Sequence, residues 1–368
     1  MARPEKARPD IMRCDILVCG AGPAGSCAAR AAAQAGAEVL VLERRATIGV
    51  PVRCAEYIPA QLAGQIPVPA GTYAVQKTAS MRAYLHGACI QDLAAPGCIV
   101  RRDALDQALA EAARAEGARI LTEHALLGLE DEHTARVALP DGRTAQVQAD
   151  IVIGADGPLS RVAAFADRRQ RALLPALQLR LPLKEPLDHT RVYFDEDLCA
   201  GYAWLFPRGN MANVGLGCVN RKDQASLYRK LEQVVDQLCR EGLIERPAQG
   251  TKALFTGGWI PVEERPCVQG SIVLAGDAAG HTHPITGAGI AQAVLAGEMA
   301  GRWAASACGQ GSLEILQGYA EEWQDFYGDV LAHARRRRLA WEAHTGSLDT
   351  VIRSFWIGNR EYYAARDV

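Results

Sequence analysis

The sequence predicts an α/β fold: a parallel sheet buried on both faces, a second, antiparallel sheet, and a helical C-terminal segment. Three observations carry this. A strand–turn–helix–strand pattern opens the chain, fully apolar strands return twice further on, and between those returns lies a stretch of mixed, aromatic-rich strands. For a chain of 368 residues, two intimately packed units are the default.

Taken in order, residues 14–19 (CDILVC) read as a strand, the glycines after them as a tight turn, and the alanine-rich stretch 26–35 as a helix that Gly36 ends. Residues 37–42 supply a second apolar strand and close a βαβ unit. Residues 103–116 have helical periodicity and high helix propensity, and 118–121 form the strand that follows. From 125 to 147 the alternation is that of a meander turning at Asp141-Gly142. A separate, continuously apolar strand then runs to Gly154, as suits the interior of a sheet covered on both faces. Residues 173–219 carry the second, antiparallel sheet, and a helix follows at 224–241. The chain returns to the first sheet through residues 270–277 and is mostly helical beyond Gly289, where the basic run Arg335 to Arg338 reads as a solvated helix face. The first unit is expected at 12–72, 98–170 and 266–310, the second at 73–97 and 171–265, and the helical segment at 311–368.

Composition narrows the function classes. With 49% hydrophobic and 22% charged residues and a formal net charge of −2, the chain is an ordinary globular protein with no signature of a nucleic-acid partner. No run approaches the roughly 20 apolar residues that cross a bilayer, and the first residues lack the apolar core of a signal peptide. The expected location is therefore the cytoplasm. An amphipathic surface can still rest on lipid, which leaves room for a peripheral membrane contact. The 11 cysteines are odd in number and lack C-x-x-C pairs, which argues against a disulfide framework and against a metal site.

The glycines carry the first functional signal. Gly20-Ala-Gly22-Pro-Ala24-Gly25 follows a strand and opens a helix. In that context the first glycine permits the turn, the second lets backbone approach a pyrophosphate, and the third allows close helix packing. The anion then sits at the helix N-terminus. Glu43 ends the second strand, where a carboxylate can accept hydrogen bonds from ribose hydroxyls and would repel a 2′-phosphate. The nucleotide half is ADP-like, as in FAD or NAD.

Further motifs resemble the flavoprotein superfamily that includes p-hydroxybenzoate hydroxylase: Arg102-Asp-Ala-Leu-Asp106, Ala155-Asp156-Gly157, Gly276-Asp277-Ala278-Ala279 and Pro284-Ile-Thr-Gly287-Ala-Gly289-Ile290. The resemblance implies a p-hydroxybenzoate hydroxylase-like, Rossmann-like fold and FAD as cofactor. It places Arg102 on cofactor phosphate or ribitol, Asp277 on the ribityl chain, and the backbone of Gly287, Gly289 and Ile290 over the flavin pyrimidine. Ala24, Arg44, Arg53 and Gly276 join the cofactor set. Asp156 reads equally as a cofactor residue or as a turn residue holding the strand end. Backbone amides at a helix start suit the negative charge of a reduced flavin.

The second unit carries Gly201-Tyr202-Ala-Trp204-Leu-Phe206-Pro207, then Gly215-Leu-Gly217. This resembles the Y-x-W-x-F-P…G-x-G motif of the geranylgeranyl reductase family. Alternation puts Tyr202, Trp204 and Phe206 on one strand face, as wall of an apolar substrate tunnel or as ordinary core. Gly49-Val-Pro51-Val-Arg53-Cys54-Ala-Glu56 is similar to the P-x-R-C-x-E segment of the archaeal-type lipid reductases of that family, with Tyr57 where a glycine is common. The resemblance puts Cys54 beside the flavin as proton donor or shield, with Arg53 placed to lower its pKa. His281 and His283 are further candidates for a proton relay.

The expected function is FAD-dependent reduction of carbon–carbon double bonds in a polyprenyl, geranylgeranyl-type substrate, by hydride from flavin N5. The alternative is an FAD-dependent monooxygenase that hydroxylates or halogenates an aromatic ring, free or on a peptide or protein, through a flavin hydroperoxide. Lys77 lies where a halogenase would hold its lysine, but no local motif supports it and it reads as exposed. A flavin protein without turnover would not need the aromatic unit. The expected partners are an apolar or aromatic substrate and an electron donor. No second G-x-G-x-x-G appears, so the reductant is NAD(P)H bound transiently, a ferredoxin or a separate reductase.

Overall fold

The computed structural model describes residues 11–167, 172–219, 224–246 and 254–364. The chain start and the expected junction between units at 170 and 171 lie outside the described residues.

The opening strand, Ile11–Cys19, lies at the centre of the first sheet, parallel to Thr144–Gly154 on one side and to Val39–Leu42 on the other. Leu17 and Val18 point to opposite faces by alternation and both are fully buried, so both faces are covered. Ile272–Leu274 and Arg119–Leu121 extend the parallel array outward on the two sides. Thr144–Gly154 is one strand of 11 residues. It corrects the expectation of a meander strand ending at 147 followed by a separate apolar one. The first half pairs with the Thr134–Ala138 hairpin arm, and the whole strand runs in register with the opening strand from Gln146 to Gly154. Polar alternation gives way to continuous burial where the hairpin arm ends.

The first helix, Pro23–Gln34, packs against the long helix Ile290–Gln310 through small residues. A Cβ at Gly297 would lie 2.2 Å from the Ala24 carbonyl oxygen, and one at Gly301 2.2 Å from that of Ala28. Matching steps of four residues mean that the helices run parallel.

The second sheet has the strand order Leu254–Pro261, Leu173–Pro182, Met211–Gly217, Tyr202–Arg208, His189–Phe194, Ser80–Leu85, Ala88–Leu93. It is antiparallel as expected except for one pair: His189–Phe194 runs parallel to Ser80–Leu85. Tyr57–Pro59, Gly97–Val100 and Ala74–Thr78 form a small third sheet between the larger ones.

The C-terminal segment divides its packing. Leu316, Tyr319 and Trp323 join the core of the first sheet, whereas Trp341, Val351, Ile352, Phe355 and Trp356 join Trp204 and Phe206 in the core of the second. That division corrects the reading of Arg335 to Arg338 as a solvated face. Arg337 and Arg338 are buried, Arg337 donating to the carbonyls of Glu361 and Tyr362, and Arg338 bonded to Glu342 over the Trp341 ring. A helix wedged between two layers has too narrow a solvent arc to expose four consecutive arginines.

Candidate functional site

The glycine turn has the shape of a dinucleotide cradle. A Cβ at Gly25 would meet the Gly20 carbonyl oxygen at 1.8 Å, and Gly20 itself has φ +100°, so both glycines are required by protein contacts. Gly22 differs: a Cβ there would meet nothing within 4 Å. It is the N-cap of the first helix and has no side-chain cap. The free amides of that helix end are the kind of group that binds an anion.

Glu43 is oriented by the turn it follows. Its carboxylate accepts from the backbone N–H of Ala21 at 3.0 Å and of Arg45 at 2.9 Å, leaving one lone pair on each oxygen for a ribose. Arg44 and Arg53 are exposed. Asp156 accepts from the Arg161 N–H at 2.6 Å, tying it to the turn before the Arg161–Phe165 helix, while its Oδ1 is buried with no partner among the described residues.

The later motifs converge on the same place. Gly276, at φ +64°, would put a Cβ 3.0 Å from Ala24, and a Cβ at Gly289 would lie 3.6 Å from the Asp277 carboxylate. Asp277 accepts from the Thr282 hydroxyl at 2.7 Å. Burial pushes its pKa up, offset in part by Thr282 and Arg102. Gly289 caps the long helix without a side chain, which leaves a second set of free amides. Since Gly297 stands beside Ala24, this N-terminus projects about 10 Å past the level of the first helix, at 1.5 Å per residue. One anion-favouring helix end therefore follows another along the direction in which an extended dinucleotide would lie.

Arg102, whose charge acts on Asp277, also acts on the Cys54 loop. Cys54 Sγ accepts from the Glu56 N–H at 3.3 Å, and the positive charge of Arg102 acts on the same thiol. Burial pushes the thiol pKa up, against the pull of Arg102. The cation that acts on the thiol is Arg102, not Arg53. The Arg102 guanidinium is held by both oxygens of Asp106, at 3.0 and 3.1 Å. Burial alone would lower its pKa, but Asp106 and then Cys54 more than compensate.

Tyr202, Trp204 and Phe206 share one face of the second sheet, as alternation predicts. Phe206 packs on Tyr57 at 5.6 Å, Trp204 bridges Phe206 and Tyr202, and Tyr202 meets Trp356 at 5.3 Å. Tyr57 thus extends the aromatic row instead of interrupting it. Gly215 is required here, because a Cβ would lie 2.3 Å from the Trp204 ring. The Tyr202 hydroxyl donates to the Thr286 carbonyl at 2.6 Å, and a Cβ at Gly287 would lie 3.3 Å from Ile260, so the row abuts the loop that leads into the long helix.

The histidines have other partners. His281 stacks on Trp323 at 3.8 Å, with neither ring nitrogen hydrogen-bonded among the described residues, and burial pushes its pKa down to about 3. His283 Nδ1 accepts from the N–H groups of Ile285 and Thr286, both at 3.3 Å, and burial pushes its pKa down to about 4. One ring packs behind the loop and the other holds it in shape. Lys77 is exposed, as expected. All 11 cysteines are free, and no cluster of metal-ligating groups occurs among the described residues.

Sequence reasoning missed the polar seam that joins the Cys54 loop to the second sheet. Gln178 donates to the Cys54 carbonyl at 3.1 Å and accepts from the Trp204 indole N–H at 3.1 Å. Glu56, fully buried, accepts from Arg180, Arg208 and Asn213 of that sheet. The signal was present: Gln178, Arg180 and Asn213 are polar residues at inward-facing positions of otherwise apolar strands.

Comparison with known proteins agrees with this geometry. Residues 15–169 match the family model for FAD dependent oxidoreductases, and residues 177–249 match that for the geranylgeranyl reductase catalytic domain. The chain is 34% identical to digeranylgeranylglycerophospholipid reductase 1 of Methanopyrus kandleri, over 86% of this chain and 88% of that protein. It is 31% identical to the digeranylgeranylglycerophospholipid reductase of Methanocaldococcus jannaschii, over 91% and 88%. A solved structure from Thermoplasma acidophilum, described as geranylgeranyl bacteriochlorophyll reductase-like, superposes with a TM-score of 0.80 at 25% identity, covering 95% of this chain and 92% of that one. The flavin-dependent brominase Bmp2 superposes with a TM-score of 0.70 at 15% identity, covering 90% and 88%, a likeness of fold alone.

Proposed function

The chain belongs to the geranylgeranyl reductase family and is an FAD-dependent oxidoreductase, and from that premise we propose that it saturates isolated double bonds of a polyprenyl chain, with Cys54 as proton donor. The single observation that carries this is Gln178. By bonding both the Cys54 backbone and the Trp204 indole, it fixes the one acidic hydrogen of the loop against the aromatic face where an apolar chain would lie.

The cradle fits FAD on structural grounds: open space at Gly22, oriented oxygens at Glu43, and a second uncapped helix end at Gly289. Gly20, Gly22, Ala24, Gly25, Glu43, Arg102, Gly276, Asp277, Gly287, Gly289 and Ile290 would hold it, with Asp156 holding the turn that follows the Thr144–Gly154 strand. When bound, FAD supplies the hydride. The protein supplies the rest.

An unactivated alkene needs a proton on the carbon next to the one that receives hydride, in a site that excludes water. Cys54 is held as a neutral thiol by burial, so the proton is present at neutral pH. Once the proton leaves, the thiolate keeps the Glu56 N–H that already donates to sulfur and the stabilising positive charge of Arg102. Solvent then returns a proton to Sγ, and the two electrons come from outside the chain, from one NAD(P)H, two reduced ferredoxin clusters or a separate reductase. Tyr202, Trp204, Phe206 and Tyr57 would flank the chain and orient it. A digeranylgeranyl lipid, named for the relatives, fits such a face, and a substrate of that kind implies a peripheral contact with the membrane that stores it. No described helix is long and apolar enough to cross one.

Cys54→Ala tests the assignment. It should reduce alkene turnover by about 100-fold or more, within the range typical of a lost general acid, with FAD content and flavin reduction unchanged. Full turnover in the variant would remove Cys54 from the mechanism.

A further inference from the structure

The buried carboxylate of Glu56 sits at the meeting point of the two sheets, and its surroundings are unlike those of a packing residue. The side chain is fully buried, yet the backbone is left-handed, at φ +68°, a conformation that non-glycine residues adopt only where surrounding structure imposes it. Its N–H points at Cys54 Sγ, 3.3 Å away. Its carboxylate reaches in both directions. Oε1 accepts from the Arg102 N–H at 3.0 Å, at the start of the helix whose Arg102 charge acts on the same thiol. Oε2 accepts from Arg180 at 2.6 Å, Arg208 at 2.9 Å and Asn213 at 2.9 Å, on three strands of the second sheet. Asn213 also donates to the Ala55 carbonyl at 3.1 Å, and its side-chain oxygen accepts from Arg180.

We propose that Glu56 is the positioning residue of the Cys54 thiol, fixing the sulfur at one height above the aromatic face by bonding the loop at once to Arg102 and to the second sheet. This rests on the reading of Cys54 as proton donor and names what aims it. The left-handed turn is what brings the Glu56 N–H round to the sulfur two residues earlier. Without the carboxylate, that turn loses its ties to the Arg102 amide and to the two sheet arginines. The loop then relaxes toward ordinary backbone and carries the thiol with it. Removal of the nearby negative charge also makes the thiolate easier to form.

The test uses the FAD-loaded protein with Glu56→Gln, and as a charge-balanced companion Glu56→Gln with Arg208→Gln. The companion carries the test wherever the single variant fails to fold, because it leaves no added unpaired charge in the seam. The first readout is the pH dependence of Cys54 alkylation by iodoacetamide, followed by mass spectrometry of the modified peptide. The midpoint should move and the rate at pH 7 should change several-fold. The second readout is steady-state alkene reduction. The value of kcat should drop at least 10-fold with KM within about 2-fold, and Glu56→Asp should recover part of the loss. An unchanged alkylation profile in a folded, FAD-replete variant would overturn the proposal, as would wild-type kcat. Alkylation needs no substrate. If the wild-type protein reduces no prenyl chain, the functional reading fails while the alkylation contrast still decides the role of Glu56.

Discussion

Gly22→Ala separates cofactor binding from folding more sharply than any other single change at the cradle. The backbone at Gly22 is extended, at φ −75° and ψ −174°, and a methyl group there would meet no protein atom within 4 Å. The cofactor-free protein should therefore tolerate it, with a loss of about 0.5–1 kcal/mol for a weaker helix N-cap. The space the methyl fills is the space into which the first helix points its free amides. A phosphate pushed out of reach of one of them forfeits a charge-assisted hydrogen bond of about 1.5–3 kcal/mol, which weakens FAD by about 10- to 150-fold. Gly25→Ala should behave in the opposite sense. Its Cβ would collide with the Gly20 carbonyl, so the cofactor-free fold itself suffers, by about 1–3 kcal/mol or more. The assay is paired: denaturant unfolding of the FAD-free proteins, and FAD titration followed by flavin fluorescence. If Gly22→Ala bound FAD as the wild type does, the pyrophosphate would not lie at this helix end, and the placement of the adenosine half would be refuted.

Two further outcomes follow from the seam and the loop. Gln178→Leu leaves the Trp204 indole N–H without an acceptor and the Cys54 carbonyl without this donor, so stability should fall by about 1–3 kcal/mol, and wild-type stability in denaturant melts would contradict the bonds. His281 and His283 are held neutral down to about pH 3 and pH 4, whereas in the unfolded chain they take up protons near the ordinary value of about 6.5. The unfolded state binds more protons between those values, so stability is full above pH 6.5 and declines as pH falls, by up to about 1.4 kcal/mol per pH unit for each ring. His281→Phe keeps a ring on Trp323 and should flatten that decline relative to wild type between pH 6 and 4; an identical slope would show that His281 protonates in the folded protein.

The cradle was legible because its chemistry is local. A glycine turn, an acidic strand end and a Gly-Asp strand end each announce themselves within a few residues, and the structure gathers them around the first helix. The aromatic row was half legible: alternation gave Tyr202, Trp204 and Phe206 a common face, but nothing in one strand says that Trp356, far along the chain, closes over it. The polar seam was hardest to see. Glu56 owes its importance to Arg180, Arg208 and Asn213, partners more than 120 residues away, and such pairing leaves no spacing to read. The arginine run misled for a related reason. Charge alone suggests solvent, but burial at Arg337 is offset by carbonyls that the final turn of chain brings back to it.

The central claim is that electrons pass from the cofactor to a prenyl double bond and the proton from Cys54. Anaerobic mixing of the protein carrying reduced FAD with a geranylgeranyl lipid tests it most directly. The account predicts that the oxidised flavin spectrum returns, one double bond is lost per flavin, and Cys54→Ala slows that return by about 100-fold or more. A flavin that stays reduced with the lipid and reoxidises only when dioxygen is admitted would contradict it.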